Sequence, residues 1–328
     1  MRRRSLIVGG LGLTWLSAAF AQHSSKSARI AVLMPYPEGD AEGRARLNAF
    51  TDALSEFRWA DGKNLQVDTE WAGGSADRIR TATKEIVASH PDLILAVTTP
   101  VATACASETT TVPILFVSVT DPVGIGIVAN LASSGRNVTG FTNFEFSVGG
   151  KWLQIVRGIA PHVKRVAVLF SPRTAPYAPA FMEVVEIAAR ELSLNPQPLG
   201  LGDAGELKEA FQALAQRRDT ALLVLPDVFT TTNRESITRL ANENGLPAIY
   251  PFRFFALAGG LLSYGFDQID PYRRAAQYAD RILRGESPAT LPIQHPTNFE
   301  MVINLKTARQ LGIEVSPTIL AQANEVIE

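Results

Sequence analysis

From residue 28 onward, short uninterrupted apolar runs alternate with longer amphipathic ones. "RIAVLM" (29–34) has the composition of a buried strand, and in residues 42–58 Leu47, Phe50, Leu54 and Phe57 recur at helical spacing. "LQVDTEW" (65–71) alternates as a strand does, and Ile79, Ala82, Thr83 and Ile86 mark the helix after it. "DLILAVT" (92–98) and "PILFVSV" (113–119) are continuous apolar runs of the kind that parallel sheets bury on both faces. Between them Pro100 suits the first turn of a short helix. This order predicts βαβαβαβ with right-handed crossovers, the run at 113–119 being the last strand of its lobe.

The pattern then begins again. "KRVAVLF" (164–170) echoes "ARIAVLM" (28–34), and each copy opens the same series of elements. Phe181, Val184, Val185, Ala188 and Leu192 share one helical face, as do Leu207, Ala210, Phe211 and Leu214. "ALLVLPD" (221–227), "LPAIYPF" (246–252), "GGLLSYG" (259–265) and "NFEMVIN" (298–304) supply further strands, with helices around 271–284 and 306–311. The prediction is an α/β protein of two similar Rossmann-like lobes with parallel sheets. No low-complexity linker separates them, so the chain is expected to cross between lobes several times.

Composition enters at the N-terminus. Arg2, Arg3 and Arg4 precede an uncharged stretch from Ser5 to Ser25, with Ala19-Phe20-Ala21 as a cleavage site. That is the anatomy of a secretory signal peptide spanning residues 1–21, compatible with Sec or twin-arginine export. Its removal takes three of the 31 basic residues and none of the 32 acids, so the mature chain is acidic and not built for nucleic acid. The single cysteine, Cys105, has no intramolecular disulfide partner. A soluble periplasmic protein is expected.

Catalytic signatures are weak. Gly124-x-Gly126-x-x-Ala129 matches a dinucleotide fingerprint in spacing, but Asp121 and Pro122 stand where phosphate would lie and no helical stripe follows. His23, His90, His162 and His295 are scattered without metal-ligand spacing, and no G-x-S-x-G elbow or P-loop occurs. No cofactor, no metal and no catalytic residue are expected, so the chain is not expected to be an enzyme. Asp121 and Asp227 each admit a second role as loop residues that cap backbone groups.

What remains are the strand ends, where parallel α/β sheets bind ligands. They carry Tyr36, Thr98 and Thr99, Ser118 to Asp121, Ser171 and Asp227. Hydroxyls, acids and an aromatic ring suit reversible binding of a small polar molecule between the lobes. Either acid would hold an ammonium group, Tyr36 would cover an apolar side chain, and Thr98 and Thr99 are equally suited to capping the next helix.

The stretches "TTPVATA" (98–104), "VPILFVSVTDPVGIGIV" (112–128), "GRNVTGFTN" (135–143), "LLVLPD" (222–227), "GGLLSYGFDQIDPYRRAAQYADRILRGESPATLPIQ" (259–294) and "FEMVINLKTARQLGI" (299–313) resemble the ABC-transporter substrate-binding family that includes bacterial tryptophan- and tyrosine-associated binding proteins. The resemblance covers essentially the whole mature chain. It implies a type I periplasmic-binding fold, two lobes on a multi-strand hinge, and delivery of an amino acid or related ligand to a membrane permease and its ATPase. The expected division is 28–143 plus about 255–290 for the first lobe and 144–254 plus about 291–328 for the second. By position, Thr99, Thr120 and Asp121 would touch ligand from the first lobe, Asn143 from the crossover and Asp227 from the second. Many relatives carry Gly-Thr-Pro at Thr98-Thr99-Pro100 and Asp-Asn at Asp227-Val228, which loosens the inference to aromatic amino acids. A monomer is expected. The alternatives are a periplasmic sensor feeding a membrane receptor and an exported α/β enzyme.

Overall fold

The computed structural model describes residues 27–328. The expected signal peptide, residues 1–21, lies outside the described residues. Two sheets organise the rest. The first holds β1 (Ala28–Met34), β2 (Leu65–Trp71), β3 (Leu93–Val97), β4 (Ile114–Val119) and β5 (Val138–Thr142), all parallel, in the order β2-β1-β3-β4-β5. The second holds β6 (Arg165–Phe170), β7 (Asn195–Gly200), β8 (Thr220–Val224), β9 (Ala248–Tyr250), β10 (Leu262–Phe266), β11 (Phe299–Asn304) and β12 (Glu325–Ile327), in the order β12-β11-β10-β9-β8-β6-β7. Counted from the first strand of each, both sheets run 2-1-3-4-5. The sequence echo is therefore a repeat of topology. In the second sheet β11 pairs antiparallel with β10 and parallel with β12, two strands the first lobe lacks.

The period-2 pattern of the strands sorts the first core into two faces. Ile30, Val32, Leu93, Leu95, Leu115 and Val117 point toward the helices Ala41–Glu56 and Asp270–Leu283. Ala31, Leu33, Ile94, Ala96, Ile114 and Phe116 point toward Ala76–Ala88 and Thr99–Glu108, where Cys105 is a buried core residue. A single larger cluster fills the second lobe around Trp152, Phe181, Phe211 and Phe255.

Three differences from the expected layout stand out. The run 113–119 is not the last strand of its lobe, because β5 adds beyond it. Gly140 makes that pairing close, since a Cβ there would stand 2.0 Å from the Phe116 carbonyl oxygen. β7 carries Pro196 and Pro198 and is tolerated as an edge strand. The boundaries also move: β10 belongs to the second sheet, so the chain returns to the first lobe only at the helix Asp270–Leu283. It stays there through Gln294, which pairs with Phe141, before crossing back into β11. Three segments therefore join the lobes, at residues 143–147, 267–269 and 295–298.

Candidate functional site

The carboxyl ends of β1, β3 and β4 face those of β6 and β8 across a narrow, small cavity with about 330 Å³ of empty space. Tyr36 follows β1, Thr98 and Thr99 follow β3, and Ser118 sits at the end of β4. Asn143 leads out of β5 into the first crossover, and Gln268 lies in the second. From the other lobe come Thr174, Tyr177, Pro226, Asp227 and Phe252. Of the described lining residues, Asp227 alone is acidic and none is basic.

On the first-lobe side several polar atoms are buried and have no hydrogen-bond partner in the protein: Thr98 Oγ1, Ser118 Oγ, Asn143 Oδ1 and Gln268 Nε2. Buried polar groups are almost always paired, so four around one cavity form a set of contacts held ready for something else. Thr98 does not cap the helix it precedes. Its φ of 73° and ψ of 166° lie in a region that glycine occupies easily and a β-branched residue does not. Thr99 Oγ1 accepts from the Thr120 N–H at 3.0 Å and so ties the ends of β3 and β4 together.

The second-lobe side is the reverse. Asp227 caps the short helix after β8, accepting from Phe229 N–H at 3.1 Å, and it takes further bonds from Ser171 N–H at 2.7 Å and the Thr174 hydroxyl. Tyr177 donates its hydroxyl to the Pro226 carbonyl. Burial nevertheless raises the Asp227 carboxyl to about 6, against the pull of Thr174 and the backbone donors. Burial, with the Asp227 charge, also pushes the Tyr177 phenol upward.

Of the eight residues singled out from sequence, Tyr36, Thr98, Thr99, Asn143 and Asp227 line this cavity. Thr120 is buried just behind it, donating its N–H to Thr99 and accepting from Asn143 Nδ2 at 3.5 Å. Asp121 is placed elsewhere. Its carboxylate accepts from Gly124 N–H at 2.9 Å and faces a separate pocket beside Phe144 and His295. A Cβ on Gly124 would come within 1.9 Å of that carboxylate, so the glycine spacing serves an Asp-capped turn. Ser171 lines an outer pocket at the cleft mouth and contributes to the cavity only through its backbone bond to Asp227. Thr174 and Tyr177 escaped the strand-end rule because they sit in the turns before the helix Ala178–Glu191, and Gln268 because it sits in a crossover; Phe252 stands two residues past β9, at a strand end from which no residue was singled out.

An ion pair spans the lobes at the rim. Asp40, at the N-terminus of Ala41–Glu56, lies 3.0 Å from Arg234, which opens the helix Arg234–Glu243. Both side chains are largely buried, Asp40 at 4% and Arg234 at 16% exposure. Among the described residues no helix is long and apolar enough to cross a membrane.

The family model for "ABC transporter substrate binding protein" matches residues 29–327. A "Tyrosine-binding protein" of Clostridioides difficile is 26% identical over 289 residues, covering 88% of this chain and 81% of that one. A conserved domain protein of Vibrio cholerae superposes with a TM-score of 0.84 at 29% identity, over 92% of this chain and all of that one. A protein from Streptococcus pneumonia solved in complex with L-Trp gives the same TM-score at 24% identity and the same coverage. More distant neighbours share the type I periplasmic-binding fold and include an ABC transporter solute binding protein of Agrobacterium vitis with bound allitol, 15% identical at a TM-score of 0.60.

Proposed function

This chain belongs to the ABC transporter substrate binding protein family, and we propose that it takes an aromatic amino acid, or a zwitterion of similar size, between its lobes and delivers it to an ABC permease. The observation that carries this is the asymmetric cavity. One buried carboxylate, Asp227, suits an ammonium group; the Thr98 and Ser118 hydroxyls opposite suit a carboxylate; Tyr36, Tyr177 and Phe252 suit a ring. Asn143 and Gln268, on two of the connecting segments, would fasten the ligand to the hinge. The names of the C. difficile and S. pneumonia relatives favour tyrosine and tryptophan as the first ligands to try.

The action is a closure. Ligand contacts made from both lobes stabilise the closed arrangement and the surface it presents to the permease. The protein works as a periplasmic monomer after removal of residues 1–21 near Ala21. Mass spectrometry of small molecules carried through native purification, with a thermal-shift panel of the common amino acids, tests the reading. Tyrosine or tryptophan should raise the melting temperature, because a ligand of the native state stabilises it by mass action. No shift with any amino acid, together with recovery of a different compound, overturns it.

A further inference from the structure

Behind the first-lobe wall lies a charge that the cavity lining does not reveal. Arg46 projects from the buried face of the helix Ala41–Glu56 and is 1% exposed. Its guanidinium lies 5.0 Å over the ring of Tyr36 and 5.5 Å over that of Phe254. Two of its nitrogens, Nε and Nη2, are buried with no hydrogen-bond partner, and among the described residues no carboxylate comes within ion-pair distance. Of the nearby acids, Asp40 is engaged by Arg234, and Glu42, one turn earlier on the same helix, acts on Arg46 without forming an ion pair with it. A buried guanidinium without a counter-ion is strongly unfavourable, and a folded protein keeps one only where something else balances it.

The direction of that balance can be read from the neighbours. Tyr36, under the guanidinium, lines the cavity. Tyr272, whose hydroxyl is also buried and unpartnered, feels the Arg46 charge and sits by Ser118, which lines the cavity too. We propose that Arg46 is a positioning residue that sets specificity for a ligand with an anionic group, its charge acting on that group through Tyr36 and Tyr272 at the Ser118 side of the cavity. Ligand closure would then balance both walls at once, an ammonium at Asp227 and a carboxylate toward Arg46. The inference rests on the amino-acid reading above and specifies which end of the molecule faces which lobe.

Calorimetric titration of the exported chain with tyrosine and tryptophan, and with their uncharged carboxamides, tests it. Wild type should prefer the acid over the amide by about 10- to 100-fold, the range of a charge-assisted contact. Arg46→Met should abolish that preference by weakening the acid alone, while Arg46→Lys should retain part of it. A merely structural Arg46 would weaken acid and amide equally, and that result overturns the inference, as does a wild type indifferent to the carboxylate. Should Arg46→Met not fold, the wild-type ratio and Arg46→Lys decide. A wild type that binds neither compound overturns the amino-acid reading and this inference with it, whereas indifference to the carboxylate overturns this inference alone.

Discussion

The two walls of the cavity rise from sheets of the same strand order, yet they meet a ligand with opposite degrees of completion. On the second-lobe wall the carboxylate of Asp227 is already held by Ser171 N–H, Phe229 N–H and the Thr174 hydroxyl. On the first-lobe wall the hydroxyls of Thr98 and Ser118 are buried and unpartnered. A group that is fully bonded before ligand arrives contributes to stability and to binding together. A group that is unbonded contributes to binding and weighs against stability. Substitutions on the two walls should therefore separate along these lines.

The largest effect is expected at Asp227. Its carboxyl is raised to about 6 from an ordinary 3.8, so between these values the folded chain holds a proton that the unfolded chain has released. Unliganded stability should then fall as pH rises through that window, by roughly 3 kcal/mol, and change little above it. Affinity for an ammonium ligand should move the other way, rising as the carboxylate ionises. Asp227→Asn should flatten both curves and lower affinity at neutral pH by about 100-fold, the loss typical of a buried charged partner. Denaturant titrations and calorimetry across pH 4 to 7 report both. Parallel curves would show that the carboxylate is not the ligand's partner.

A smaller effect is expected at the rim. Asp40→Asn removes the charge from an ion pair whose two side chains do not line the cavity, yet it should lower affinity by about tenfold by disfavouring the closed arrangement. Small-angle scattering of the unliganded variant should show a larger radius of gyration than wild type. An unchanged radius with unchanged affinity would show that the pair does not contribute to closure.

The smallest effects sharpen the comparison most. Thr98→Val and Ser118→Ala each delete a hydroxyl with no partner in the protein, so affinity should fall about 2- to 10-fold with stability unchanged or slightly raised. Thr174→Val removes a donor from Asp227 and should lower both affinity and stability. Thermal melts beside calorimetry separate the two cases, and a stability loss at Thr98 or Ser118 would break the distinction between the walls.

Much of this was legible in the chain. The strands β1, β3, β4, β6 and β8 are continuous apolar runs, and their ends supplied five of the residues that line the cavity. β5 and β7 were not legible, because "VTGFT" stands in a turn-rich stretch and "NPQPLG" holds two prolines at an edge. Asp121 misled because a carboxylate at a strand end satisfies a turn as readily as a ligand. The residues missed from the second lobe, Thr174, Tyr177 and Phe252, come from loops after β6 and β9 whose convergence on the cavity depends on how the lobes meet. Arg46 did leave a signal. It falls on the same helical face as Gly43, Phe50, Ala53 and Leu54, and a lone charge on a buried stripe marks a group kept there against its solvation.

The helix Asp270–Leu283 follows ten of the twelve strands among the described residues, yet its Tyr272, Ala275, Ala279 and Ile282 complete the core of the first sheet against Phe50 and Leu54. A chain emerging from its N-terminus therefore makes the first five strands long before it makes the helix that covers one of their faces. Until that helix arrives one face of the first sheet is covered only in part, by Ala41–Glu56, and the lobe cannot reach its final form while the C-terminal third is missing. An architecture in which the beginning waits for the end delays the closing of the first core by the order of the chain itself.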